Sequence, residues 1–394
     1  MCKETSSAIR SSVAAIGQHL APTEQPQREH DDPPAPPAYL QDPTTLYNHV
    51  AKAEWNQVEN YCRFLLKLQK SRNVSPETKR LGRAQLVLKD GNNDENTILH
   101  VACHLKPPTS VIQLLLKAYQ RYEISDICKY QNKQGATPLY IACAHGVTEG
   151  TLSVLLNEDS SVVTMTTHQG QTVFDALSLR YSQWKLFASD KSRFTTVAQQ
   201  ALNEVISYSS TPIVQASPSL RSLMKCIVVL LRQGFGCRTN IGAAFCRASP
   251  YLPQELADLF LDAGIVKPAH PDHRTGMLPL HSIVSTDSTA IQSSPRLVQN
   301  QSYIVRRLVR AYPQSVRIRL PNGLTPFQQG LASGLEWQDN DNNNEPSLLE
   351  MLWTPDENES MAKNAMLHVD NVSASTLFSL LKLYPQAMHH LTIH

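Results

Sequence analysis

Glycine is scarce in this chain of 394 residues, 15 Gly against 25 Pro, a balance that suits helices joined by stiff corners. Charge of one sign is lacking as well. The net charge is only +2, so no whole-molecule field argues for nucleic acid or an anionic membrane as partner. Long apolar runs are missing: the longest, Cys226 to Leu231, falls far short of the roughly 20 residues a membrane-spanning helix needs, which predicts a soluble chain. Ala8 to Leu20 is broken by Arg10, Ser11, Ser12, Gly17, Gln18 and His19, an argument against a secretory signal. The eight cysteines are scattered and form no C-x-x-C pair, so we expect a reducing, intracellular setting, cytoplasmic or nuclear.

Catalytic and nucleotide-binding signatures are absent too. No G-x-S-x-G nucleophile elbow occurs, nor any G-x-x-x-x-G-K-[ST] or G-x-G-x-x-G loop; "GFGCRTNIG" at Gly234 has the wrong spacing and follows a helical pattern. The expectation is therefore a protein that is not an enzyme and holds no cofactor.

What is present begins with a proline-rich stretch. Residues 21–43 carry seven prolines among polar and charged residues, so residues 1–43 are expected to be a disordered N-terminal segment. From Thr44 onward, Leu46, Val50, Trp55, Val58, Tyr61, Cys62, Leu65 and Leu66 fall at nearly helical spacing with a break near Ala53. That predicts a helical pair.

Self-similarity follows. A helix ending recurs as "LLKAYQ" from Leu115, "LVRAYP" from Leu308 and "LLKLYP" from Leu380. A helix start recurs as "ENTILHVAC" from Glu95, "GATPLYIAC" from Gly135, "GQTVFDALS" from Gly170, "GMLPLHSIV" from Gly276 and "GLTPFQQGL" from Gly323. Gly135 and Gly170 are 35 residues apart, Gly276 and Gly323 47 apart. Periods of this size signal repeats of one supersecondary unit. Gly permits a tight turn, Thr caps a helix, and Pro at the first helical position loses no bond, because that N–H would have had no partner.

With "TPLYIACAHG" (Thr137 to Gly146) and "TILHVAC" (Thr97 to Cys103), the chain resembles the ankyrin repeat, whose helix opens T-P-L-H-x-A. Its "AYP" helix ends and the leading helix around Trp55 are similar to the divergent ankyrin-like proteins of diatoms and related algae. The resemblance implies an all-α, ankyrin-like solenoid of about five to seven stacked helix-turn-helix repeats with long insertions. Repeats are clear at 95–126 and 128–161, split by an insertion over 163–234, and without the capping Thr over 266–313. Residues 237–265 and 346–390 fit as degenerate pairs. The domains expected are ankyrin-like repeats over 44–180, an insertion with one helix (Phe194 to Tyr208) over 181–219, and degenerate repeats over 220–394.

For a metal, the best group is His100, Cys103 and His104 with Cys128, Cys143 and His145, residue types that can hold zinc. Yet Cys103 and Cys143 share one repeat position, where stacking needs a small buried side chain. The resemblance gives His100 a turn-stabilising bond to Thr97, so no metal is expected; only His104 has no role in the repeat. Arg306, Arg307 and Arg310 lie on one helical face whose apolar side holds Ile304, Val305, Leu308 and Val309. They suit an acidic partner or a solvated outer face, shielded by the acidic loop Glu336 to Glu345. By resemblance, the partner-binding residues sit ahead of each cap: Asn92, Asn93, Asp94, Asn132, Lys133, Gln134, His168, Gln169, Pro321 and Asn322. The function this implies is a non-catalytic protein-binding scaffold or adaptor. A regulatory subunit of a partner enzyme, or a protein binding nucleic acid or metal, stays open as an alternative.

Overall fold

Polar caps decide where the helices start. In the computed structural model, which describes residues 38–71, 74–89, 94–207, 216–236, 240–272, 274–286, 291, 294–320, 322–333 and 348–352, Thr137 Oγ1 accepts the Tyr140 backbone N–H at 3.2 Å. Thr172 does the same for Asp175, Ser75 for Thr78 and Ser217 for Leu220, each at 3.2 Å. Each bond satisfies one of the donors left over at a helix N-terminus.

The helices, in chain order, are α1 (Ala38–Gln41), α2 (Thr45–Ala51), α3 (Trp55–Lys70) and α4 (Pro76–Val87). Two pairs follow, α5 (Ile98–His104) with α6 (Thr109–Arg121), and α7 (Pro138–His145) with α8 (Glu149–Glu158). Next come α9 (Val173–Phe187), α10 (Lys191–Ile206) and α11 (Pro218–Gly234). The later pairs are α12 (Ile241–Ala248) with α13 (Gln254–Asp262), and α14 (Pro279–Val284) with α15 (Pro295–Ala311); α16 (Pro326–Ala332) and α17 (Leu348–Leu352) come last. Among the described residues the sole extended pairing is an isolated bridge between Lys89 and Thr97. No described helix is long and apolar enough to cross a membrane.

Packing runs in rows. First helices stack on one another, α5 on α7 and α7 on α9, while second helices do likewise, α3 on α6, α6 on α8 and α8 on α11. Farther along, α12 packs on α14, α14 on α16, and α13 on α15. The inserted helix α10 lies against α11 and α13. The cause is legible at one repeated position: two residues after each cap stand Leu99, Leu139, Phe174, Leu280 and Phe327, all essentially buried. Burying one such side chain is worth roughly 1.5–3 kcal/mol. Small neighbours (Ala102, Cys103, Ala142, Cys143) are buried beside them, which lets α5 and α7 approach closely. A continuous apolar core results, from Leu40 to Leu352.

Two boundaries and one helix differ from expectation. Folded structure starts before Thr44, because Leu40 of α1 is fully buried; residues 1–37 lie outside the described ones. The insertion does not begin at 181, since α9 runs unbroken through the buried Tyr181 to Phe187, and the inserted helix is Lys191–Ile206. Helix α4 was not anticipated, although "SPET" from Ser75 is a cap with Pro at the first helical position. The expected break near Ala53 is there, with φ of 55°. Of the degenerate pair over 346–390, only Leu348–Leu352 is described.

Candidate turn-tip and first-helix face

The loops ahead of the first helices share one closure. In the turn before α7, Gly135 N–H donates to Asn132 O at 2.8 Å and Asn132 N–H to Ala136 O at 3.0 Å. Before α9, Gly170 N–H donates to Thr167 O and Thr167 N–H to Gln171 O, both at 2.9 Å. Before α16, Gly323 N–H donates to Leu320 O at 2.8 Å and Leu320 N–H to Leu324 O at 2.7 Å. Successive tips are also joined through main chain: Lys133 N–H donates to Asp94 O at 3.0 Å, and His168 N–H to Gln134 O at 3.1 Å. Three tips thus stand in a row.

Lys133, Gln134, His168, Gln169 and Asn322 are exposed there, as is Asp94. Asn132 is a correction to the set of exposed residues. It is only 5% exposed, its Oδ1 accepting the N–H groups of Gln134 at 3.0 Å and Ala136 at 2.9 Å while its Nδ2 donates to Asn96 Oδ1 at 2.9 Å. The turn consumes its whole amide. Asn92, Asn93 and Pro321 lie outside the described residues.

Third-position side chains link each unit to a later one. His100 Nδ1 lies 3.3 Å from the Thr97 N–H and 2.8 Å from Thr97 Oγ1, and its Nε2 is 3.0 Å from Ala136 O in the next turn. With Nδ1 accepting from the N–H, the Nε2–H is the donor to that carbonyl. His281 repeats the device at α14, accepting from Leu278 N–H at 3.2 Å and reaching Ile318 O at 2.9 Å. Burial holds its pKa below the ordinary histidine value. Tyr140 OH donates to Gln171 Oε1 at 2.8 Å. Asp175 accepts from Thr172 N–H at 2.7 Å and pairs with Arg296 of α15, while Thr172 Oγ1 donates to Tyr251 O at 2.9 Å.

His104, which had no role in the repeat, meets His145 of the next unit. Counted from the caps, the seventh and eighth residues are His104 and Leu105, Ala144 and His145, Leu179 and Arg180. Stacking brings His104 Nδ1 to 3.1 Å from His145 Nε2. The pKa of His145 is lowered by burial first, then by His104, Lys106 and Arg180. Arg180 Nη1 donates to Cys143 O at 3.4 Å, and the guanidinium lies 5.4 Å from the Trp184 ring centre. Aligning the caps and reading the last helical turn would have revealed this strip.

Of the arginine cluster, Arg307 Nη2 donates to Asp262 Oδ1 at 2.8 Å and its Nε stands 3.1 Å from Asp258 Oδ1. Arg306 Nη1 lies 4.0 Å from Met351 Sδ, and Arg310 is exposed. Ile304, Val305, Leu308 and Val309 are buried. The proposed acidic shield, 336–345, falls outside the described residues.

Cys103, Cys128 and Cys143 are buried free thiols, and no group of three or more His, Cys, Asp or Glu able to hold a metal occurs among the described residues. A cavity of about 430 Å³ beside Cys128 is lined by Glu123, Asp126, Glu158 and Asp159. Three of these acids are engaged locally, Glu158 by Gln120 at 2.7 Å and Asp159 and Asp126 by Lys129 at 2.8 and 3.8 Å. The chain matches no protein-family model and no curated protein.

Proposed function

We propose that this chain is a non-catalytic protein-interaction scaffold or adaptor, its helix pairs stacked as an ankyrin-like solenoid and acting in the cytoplasm or nucleus. What carries the reading is the row of turn tips joined through main chain, Asp94 to Lys133 and Gln134 to His168. That row holds exposed polar side chains on a stiff base, beside stacked first helices. Rigid display lowers the ordering cost of binding, because the residues that meet the partner are already placed. The partner is a protein whose surface or segment fits the tips and the first-helix face, with affinity concentrated in a few anchors.

The test is affinity purification with mass spectrometry, comparing the full chain with a Lys133→Ala, Gln134→Ala, His168→Ala variant. Loss of specific partners from the variant supports the assignment. Identical recovery overturns it.

A further inference from the structure

Helix α9 is unlike its neighbours in the first-helix row. It has 15 residues where α5 has 7 and α7 has 8. Leu179, at the position of His104 and Ala144, and Leu186 and Phe187 of the added turns are exposed by 61%, 64% and 84%. Positions 179, 186 and 187 are spaced i, i+7 and i+8, so they share a helix face. One exposed leucine needs no explanation, but three large apolar groups on one face do.

The chain next to this face carries mostly positive charge, with Glu255 of α13 beside it at Ser178, 3.4 Å from its Oγ. Between Leu179 and Arg193 the sequence has four cations, Arg180, Lys185, Lys191 and Arg193, against one acid, Asp190. Asp190 is already engaged, since its Oδ1 accepts the Arg193 N–H at 3.0 Å to cap α10. None of the four cations has an ion pair with a carboxylate among the described residues. The positive character continues across the row, where Lys106 and Arg180 act on His145 and lower its pKa after burial and His104.

We infer that the strip from His104 through His145 and Arg180 to Leu186 and Phe187 docks an acidic amphipathic segment of a partner protein. Apolar side chains of that segment cover Leu179, Leu186 and Phe187, and its carboxylates meet Arg180, Lys185 and Lys106. A second copy of this chain is disfavoured as occupant, because it would set four unpaired cations against four more. Adjacent packed helices lie about 10 Å apart, so the strip over α5, α7 and α9 spans roughly 20 Å, the length of a helix of about 13 residues. The inference rests on reading the first-helix face as a protein-binding surface. It fails separately from the turn-tip assignment, because its variants leave Lys133, Gln134 and His168 unchanged.

The experiment is selection of random 16-residue peptides displayed on phage against the full chain, with counter-selection on a Leu186→Glu, Phe187→Glu variant. Both positions are exposed, and an unchanged melting curve would verify that this variant folds. Recovered peptides should combine acidic residues with bulky apolar ones at helical spacing. A fluorescein-labelled copy of the most enriched peptide should bind at least about tenfold more weakly to a Lys106→Glu, Lys185→Glu variant. Its binding to wild type should also weaken from 50 to 300 mM salt, as added salt shortens the reach of exposed charges.

The inference is overturned if no peptide distinguishes wild type from the Leu186→Glu, Phe187→Glu variant, if enriched peptides lack acidic residues, or if charge reversal leaves affinity unchanged. Two controls overturn it as well. Light scattering showing a dimer that requires Phe187 would assign the face to a second copy. Sedimentation with phosphatidylserine vesicles that requires Phe187 would assign it to a lipid surface.

Discussion

Replacing Gly135 with alanine tests whether the turn tips bear on one another. Two costs add at this position. Gly135 has φ of +76°, and an L-residue held in the left-handed region loses about 1–2 kcal/mol. Its new Cβ would fall 2.5 Å from the His168 backbone nitrogen and 3.0 Å from the His168 ring. Backbone cannot swing aside as a side-chain tip can, so the tip must shift and weaken the His168 N–H bond to Gln134 O, worth about 1 kcal/mol. The sum is roughly 2–3 kcal/mol. Gly264 supplies the control: φ is +69°, yet nothing lies within 4 Å of the added Cβ. Gly264→Ala should cost only the conformational share, about 1–2 kcal/mol. Urea unfolding of the full chain reads both, as a midpoint shift at constant slope. If Gly135→Ala costs no more than Gly264→Ala, contact between tips contributes nothing and the reasoning fails.

Caps should differ in a graded way. Thr137→Ala should cost about 1 kcal/mol and Thr172→Ala about 2 kcal/mol, because Thr172 Oγ1 also bonds Tyr251 O; equal losses in urea would contradict that extra role. Acid should destabilise the fold through His281. Its folded pKa is lowered by burial, so the neutral ring is favoured in the native state and the unfolded chain takes the proton more readily. This contribution is full above the ordinary histidine value near 6.5 and is lost as pH falls below it toward the lowered one. His281→Gln should flatten the melting temperature between pH 6.5 and 5; an unaltered slope would rule the mechanism out. Burial pushes the Cys62 and Cys128 thiols up to about 12 and Cys226 to about 11, and raises Cys103 and Cys143 as well. Iodoacetamide followed by peptide mapping should therefore leave these five unmodified in native buffer and alkylate them in urea. Native labelling of Cys103 or Cys143 would mean that the stacking contact opens.

Sequence foretold the local parts well. Thr137 with Pro138 announced α7, because caps and first turns are settled by residues within four positions of each other, while the bond of His100 to Thr97 was expected from the resemblance. Its limits lay where distant segments decide. The 1–43 boundary failed because Leu40 looks like part of a proline-rich tail until its burial shows otherwise. The end of α9 was misplaced because Tyr181 packs beside Phe194 of α10, with ring centres 5.6 Å apart, a contact that periodicity cannot supply. Asn132 resembled any polar turn residue, and only the turn's geometry showed its amide fully engaged. His104 lacked a role for the same reason: its neighbour His145 lies 41 residues on.

The links made by the third-position side chains differ in what they demand of the following unit. His100 and His281 reach main-chain carbonyls, Ala136 O and Ile318 O, and every residue type offers a carbonyl. A duplicated or exchanged unit behind either histidine would still meet it. Tyr140 and Asp175 instead reach the side chains of Gln171 and Arg296, so the units they join must be inherited together. A unit copied after α5 or α14 keeps the histidine bond, though after α5 it must also keep the Asn132 partner of Asn96. The third-position bonds from α7 to α15 tolerate no such exchange, because both ends of each are side chains.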